Sequence, residues 1–100
     1  MIKVLIETKK VVVSGHANYA KKGNDIVCAS VSTAVMMSIN QIEIFDLLDC
    51  IEYNVDNNGL IAIEVVKEND TVLKIIKNLV YTLSDLELQY PKYIKINENL

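Results

Sequence analysis

The sequence predicts an α+β fold, a single layered domain over residues 1–100 in which a mixed β-sheet carries two helices in the order ββαββαβ. Three observations point there. Alternating and β-branched segments come in pairs, each pair is followed by a long stretch with apolar residues at helical spacing, and Asn57-Asn58-Gly59 marks a tight turn inside the second pair.

The first strand is read over Ile2 to Glu7, where Ile2, Val4 and Ile6 alternate with Lys3, Leu5 and Glu7. Thr8-Lys9-Lys10 joins it to a second strand at the β-branched run Val11 to Val13. From Ser14 to Asp25 no period persists, and Gly15, Gly23 and Asn24 supply turn chemistry, so an irregular loop is expected. Loops of that length in a small domain often carry function.

Beyond Asp25, an N-cap candidate, Cys28, Val31, Val35, Ile39 and Ile42 form one helical stripe that Ala34, Met37, Ile44 and Leu48 are expected to widen. Ile26 to Ile42 has no charged residue, yet it is short for a membrane span and contains Ser30, Ser32, Thr33, Ser38, Asn40 and Gln41, so it reads as a buried helix. Met36 and Met37 read as core or dimer-face residues. Ile51 to Val55 and Leu60 to Val66 form the second hairpin. Asn69-Asp70-Thr71 then caps a helix whose apolar positions run from Val72 to Leu86 and whose outer face takes Lys74, Lys77, Asp85 and Glu87. That helix ends near Pro91, and Tyr93 to Ile96 makes a last short strand.

A chain of 100 residues that is 51% hydrophobic and 23% charged has the means for one core. A net charge of -3 argues against direct nucleic-acid binding and against an anionic membrane surface, both of which need clustered positive charge. Met1 to Glu7 reads as a strand rather than a secretory leader, which places the protein in the cytoplasm with Cys28 and Cys50 reduced.

One His and two Cys leave few reactions open. They are too few for a metal site without help from carboxylates, and no phosphate-binding or dinucleotide glycine pattern occurs, so neither metal nor cofactor is expected. What remains is nucleophilic catalysis by a thiolate, with an imidazole that favours the thiolate and then protonates the leaving amine. Cys28 falls in the first turn of the first long helix, where free N–H groups and the helix dipole favour a negative sulfur and can hold an oxyanion. His16 precedes it by a loop long enough to fold back. Asp25 either orients His16 or caps the helix. Cys50, beside Leu47, Leu48 and Ile51, reads as a buried structural thiol.

Ser14-Gly15-His16-Ala17, followed by Gly23-Asn24-Asp25-Ile26-Val27-Cys28-Ala29-Ser30-Val31-Ser32, closely resembles the signature of the bacterial ribosomal-processing cysteine protease Prp family. The resemblance extends over the whole chain in length and element order. It implies a mixed α/β fold, homodimeric, and an endopeptidase whose partner is the N-terminal extension peptide of the large-subunit ribosomal protein L-twenty-seven. Carried over by position, it makes Cys28 the nucleophile, His16 the base, Asp25 the supporting carboxylate and Ser32 a polar neighbour of the thiol. Gly15 and Gly23 match the loop glycines. Independently of the resemblance, Tyr19 in the loop reads as a substrate contact or flap, or else as a half-exposed loop aromatic. Asn18 and Lys21-Lys22 depart from the pattern and affect only the loop's contacts. The rival expectation is a non-enzymatic ribosome-associated module that binds a basic partner through a sheet edge or the second helix.

Overall fold

The computed structural model describes residues 1–17, 19–21, 25–56 and 59–99. The Gly23 loop position and the Asn57-Asn58 half of the turn lie outside them, as do Asn18, Lys22 and Asn24. Strand β1 (Ile2–Glu7) turns through Thr8 and Lys9 into β2 (Lys10–Ser14), and helix α1 (Ile26–Ile44) follows the loop. A 3-10 turn (Leu48–Cys50) leads into β3 (Ile51–Val55) and β4 (Ile61–Val65), then helix α2 (Asp70–Gln89) and strand β5 (Ile94–Asn99). The fold is α+β in the order ββαββαβ, as the sequence predicts.

The five strands stand in the order β3-β4-β2-β1-β5. All neighbours are antiparallel except β1 and β5, which run parallel with Ile2 opposite Ile94 and Glu7 opposite Asn99. Period-two alternation sends Ile2, Val4, Ile6, Val11, Val13, Ile63, Val65 and Ile94 into the core. The helices meet them with Val27, Val31, Val35 and Ile42 from α1 and Val72, Ile75, Leu79 and Leu83 from α2.

The structure corrects the sequence reading at four places. Helix α1 stops at Ile44, short of Leu48, because Asp46 takes a left-handed conformation at φ 60°. Its N–H donates to Glu43 O at 2.8 Å and that of Leu47 to Ile42 O at 3.0 Å, which closes the helix end. Only one stripe of α1 is buried, so Met37 and Ile44 do not widen it but stand 67% and 78% exposed, with Met36 open beside them.

Strand β5 runs to Asn99, beyond Ile96, because pairing along the full length of β1 overrides the poor strand preference of Asn97 and Asn99. Glu87 is not on an outer face. Its Oε2 accepts the Ile96 N–H at 2.7 Å on the open edge of β5, satisfying a donor the sheet cannot.

Candidate functional site

The site forms at the end of the sheet where β2 finishes, β1 begins and α1 starts. Gly15 makes the turn possible. Its φ is +83°, and a Cβ there would lie 2.6 Å from Met1 O, so neither the backbone angle nor the space admits a side chain. The chain then presents His16 to solvent and tucks Ala17, 4% exposed, into the core.

The imidazole of His16 rests on Gly59 of the second hairpin. A Cβ at position 59, where φ is +84°, would stand 3.0 Å from His16 Cε1 and 3.0 Å from Gly15 O. Gly59 is therefore the floor under the ring as well as a turn residue.

Asp25 occupies the N-cap of α1 in extended conformation, and its Oδ1 accepts the N–H groups of Val27 and Cys28, each at 3.0 Å. Its Oδ2 accepts the Tyr19 N–H at 3.0 Å. Both oxygens are directed to backbone donors, so of the two roles open to it in the sequence, capping the helix is the one seen, together with tethering the loop. Desolvation pushes the Asp25 carboxyl up, but hydrogen bonds from the Cys28 N–H, the Tyr19 N–H, the Cys28 thiol and the Val27 N–H outweigh it and hold the pKa below its ordinary value.

Cys28 is the third residue of α1, partly exposed and not in a disulfide, and its Sγ accepts the Ala17 N–H at 3.3 Å. The helix start thus supplies the negative-charge-favouring end of a dipole, and the loop supplies a direct donor to sulfur. Cys50 is free and buried, at 3% exposure.

Cys28, His16, Gly15 and Ser32 line one cavity of about 210 Å³, with apolar walls from Ile2, Val13, Val31, Val55 and Ile61 and with Asp56 and Gly59 at its rim. Ser32 sits one helical turn after the thiol on the same face. Tyr19 is placed elsewhere. Its ring, 41% exposed, meets Tyr90 and Tyr93 edge-on at centroid distances of 5.8 and 5.0 Å, fastening the loop to the end of α2. Among the described residues no group of three or more His, Cys, Asp or Glu gathers in a way that could hold a metal ion.

Sequence reasoning did not find the Ala17 N–H as a sulfur donor, nor Gly59 and Val55 as parts of the cavity. The small size of Ala17 beside His16 is the one signal that a buried anchor stands there. The second hairpin gave none, since its approach to the loop depends on β4 pairing with β2.

A family model described as cysteine protease Prp matches residues 1–95. The chain is 33% identical over 101 residues to the ribosomal processing cysteine protease Prp of Mycoplasma genitalium, covering 98% of this chain and 96% of that one. It is 33% identical over 89 residues to the protein of the same name from Staphylococcus aureus, covering 87% and 83% of the two chains. A crystal structure of an essential ribosomal processing protease Prp from S. aureus with a covalently linked product peptide superposes with a TM-score of 0.90 at 30% identity, over 99% of this chain and 100% of that one. With a free, half-buried cysteine at a helix start and a histidine on the same cavity, the chain belongs to the Prp family of cysteine proteases.

Proposed function

We propose that this protein is a cysteine endopeptidase that removes the N-terminal extension of the large-subunit ribosomal protein L-twenty-seven, with Cys28 as nucleophile and His16 as general base. The observation that carries the reading is the cavity shared by Cys28 and His16, whose sulfur already accepts a backbone N–H. The names of the relatives, ribosomal processing proteases, support the substrate class.

In this mechanism the Cys28 thiolate attacks the scissile carbonyl carbon to give a tetrahedral oxyanion. His16, having taken the thiol proton, delivers it to the departing amine as the C–N bond breaks, which leaves a thioester. His16 then deprotonates a water that attacks the thioester, the sulfur leaves, and the carboxylate product is freed. The apolar walls of the cavity suit an apolar or aromatic substrate side chain next to the scissile bond. Asp25 supports the pair by fixing the start of α1, and Ser32 lies within the same cavity as a polar contact.

The enzyme works in the cytoplasm as a homodimer. The open face of α1, with Met36 62%, Met37 67% and Ile44 78% exposed and Glu43 as its one charge, favours a second copy over solvent.

Incubation with an extended L-twenty-seven peptide tests the reading by mass spectrometry. Cleavage is expected with the native chain and absent with Cys28→Ala and with His16→Ala. Undiminished cleavage by Cys28→Ala sinks the assignment. Sedimentation of Met37→Lys tests the dimer: a shift to monomer is expected, and an unchanged native monomer refutes it.

A further inference from the structure

The backbone N–H groups of Cys28 and of its two neighbours at the helix N-terminus are already engaged. The N–H groups of Val27 and Cys28 both donate to Asp25 Oδ1 at 3.0 Å, and that of Ala29 to Asp25 O at 3.1 Å. The Cys28 N–H, the nearest backbone donor a tetrahedral intermediate on this sulfur could recruit from its own residue, is therefore taken. The sequence-based expectation that these groups hold the oxyanion does not survive the cap.

A donor does face the sulfur from the other side. The Ala17 N–H lies 3.3 Å from Cys28 Sγ. An oxygen on a carbon newly bonded to that sulfur lies roughly 2.7 Å from it, by ordinary bond lengths and a tetrahedral angle, so an N–H already at the sulfur is within a small shift of the oxyanion.

We propose that the Ala17 N–H is the oxyanion donor of this enzyme, an inference that rests on Cys28 being the nucleophile. As the S–C bond forms, negative charge leaves sulfur and arrives on the carbonyl oxygen, while the carbonyl π pair becomes the oxygen lone pair. One N–H that starts on the thiolate follows that charge to the oxyanion. When the intermediate collapses, the C=O bond reforms, the amine leaves with the proton from His16, and the donor is released. The donor is preorganised because the Ala17 methyl is buried in the core at 4% exposure and Gly15 fixes the turn before it. The same peptide unit joins it to His16, so one short segment carries both the base and the donor.

The test replaces this N–H with an ester oxygen and leaves every side chain in place. The chain is assembled by chemical ligation at Cys28, with lactic acid in place of Ala17, so that an ester oxygen replaces the amide nitrogen. Cleavage kinetics on the extended peptide, affinity for a peptide aldehyde that adds to the thiol, and the iodoacetamide alkylation rate are compared with the all-amide synthetic chain. The expected result is a fall in kcat of about 100-fold with KM little changed, weaker aldehyde binding, and alkylation slowed less than about tenfold. A kcat within about threefold of the all-amide chain overturns the inference, and so does alkylation slowed as much as kcat, because the N–H would then serve the thiolate alone. Synthetic Cys28→Ala runs beside them: if it cleaves, the nucleophile assignment fails, whereas if it is inert and the ester chain stays active, only the role of Ala17 fails.

Discussion

Asp25 joins two structures through one carboxylate, and two substitutions separate them. Asp25→Ala removes the acceptors of the Val27, Cys28 and Tyr19 N–H groups together. Asp25→Asn keeps a carbonyl oxygen for Val27 and Cys28 but turns an NH₂ toward the Tyr19 N–H, donor against donor. Loss of an N-cap costs about 0.5–2 kcal/mol, and for a domain of this size each 1 kcal/mol lowers Tm by roughly 4–8 °C. At the typical cap loss of about 1 kcal/mol, thermal unfolding should therefore place Asp25→Ala about 4–8 °C below the native chain and Asp25→Asn within roughly 3 °C of it. Limited proteolysis, by contrast, should cut both variants faster than the native chain after Lys21, since both lose the Tyr19 tether. The double role of Asp25 is refuted if Asp25→Asn melts as low as Asp25→Ala, or if its loop is cut no faster than the native one. The pH dependence has a determined sign. The folded carboxyl is held below the ordinary value of 3.8, so its contribution to stability is whole above that value and is lost as the pH falls from there through the lower folded pKa. The Tm gap between the native chain and Asp25→Ala should close over that acid window.

Gly59→Ala should lower both stability and turnover, because the left-handed backbone costs about 1–2 kcal/mol and the new methyl would press on His16 Cε1 from 3.0 Å. A variant with normal kcat at a temperature well below its Tm would show that the imidazole does not need this floor. Tyr19→Ala deletes two edge-on aromatic contacts, each worth about 0.5–1.5 kcal/mol when buried and less at this exposure, so proteolysis of the loop should quicken while global Tm moves by only a few degrees. Unchanged proteolysis counts against the latch. Glu87→Ala leaves the Ile96 N–H without its acceptor and should cost about 1–3 kcal/mol, with Glu87→Gln recovering most of it; equal melting of both variants and the native chain contradicts the edge-capping role.

The elements were legible because their signals are local. Alternation at Ile2 to Glu7, the stripe from Val31 to Ile42 and the cap at Asn69 each act within a few residues, and local physics decides them. Legibility failed where a distant partner set the outcome. The extension of β5 to Asn99 comes from β1, at the opposite end of the chain, and the position of Glu87 follows from the open edge that this pairing leaves. The early stop of α1 is a different case, since Asp46 takes the left-handed position that glycine usually fills and so gives no punctuation in the sequence.

The site divides along the same line. His16, Asp25 and Cys28 could be named from sequence because they sit on one continuous segment, but that segment alone implies the wrong oxyanion donors. A helix N-terminus offers its free N–H groups only when no side chain takes them, and here the residue that makes the helix start well also occupies the donors nearest the sulfur. The cap and the hole compete for the same atoms. Placing the donor on the loop resolves the competition, and it also means that a disturbance of the loop moves His16 and the Ala17 N–H together. Loop variants should therefore lose the base and the oxyanion contact in one step, so kcat should fall further than the product of an isolated His16 defect and a small stability loss would give. That coupling ties the fastening of Tyr19 on α2, far from the sulfur in sequence, to the rate of the chemical step.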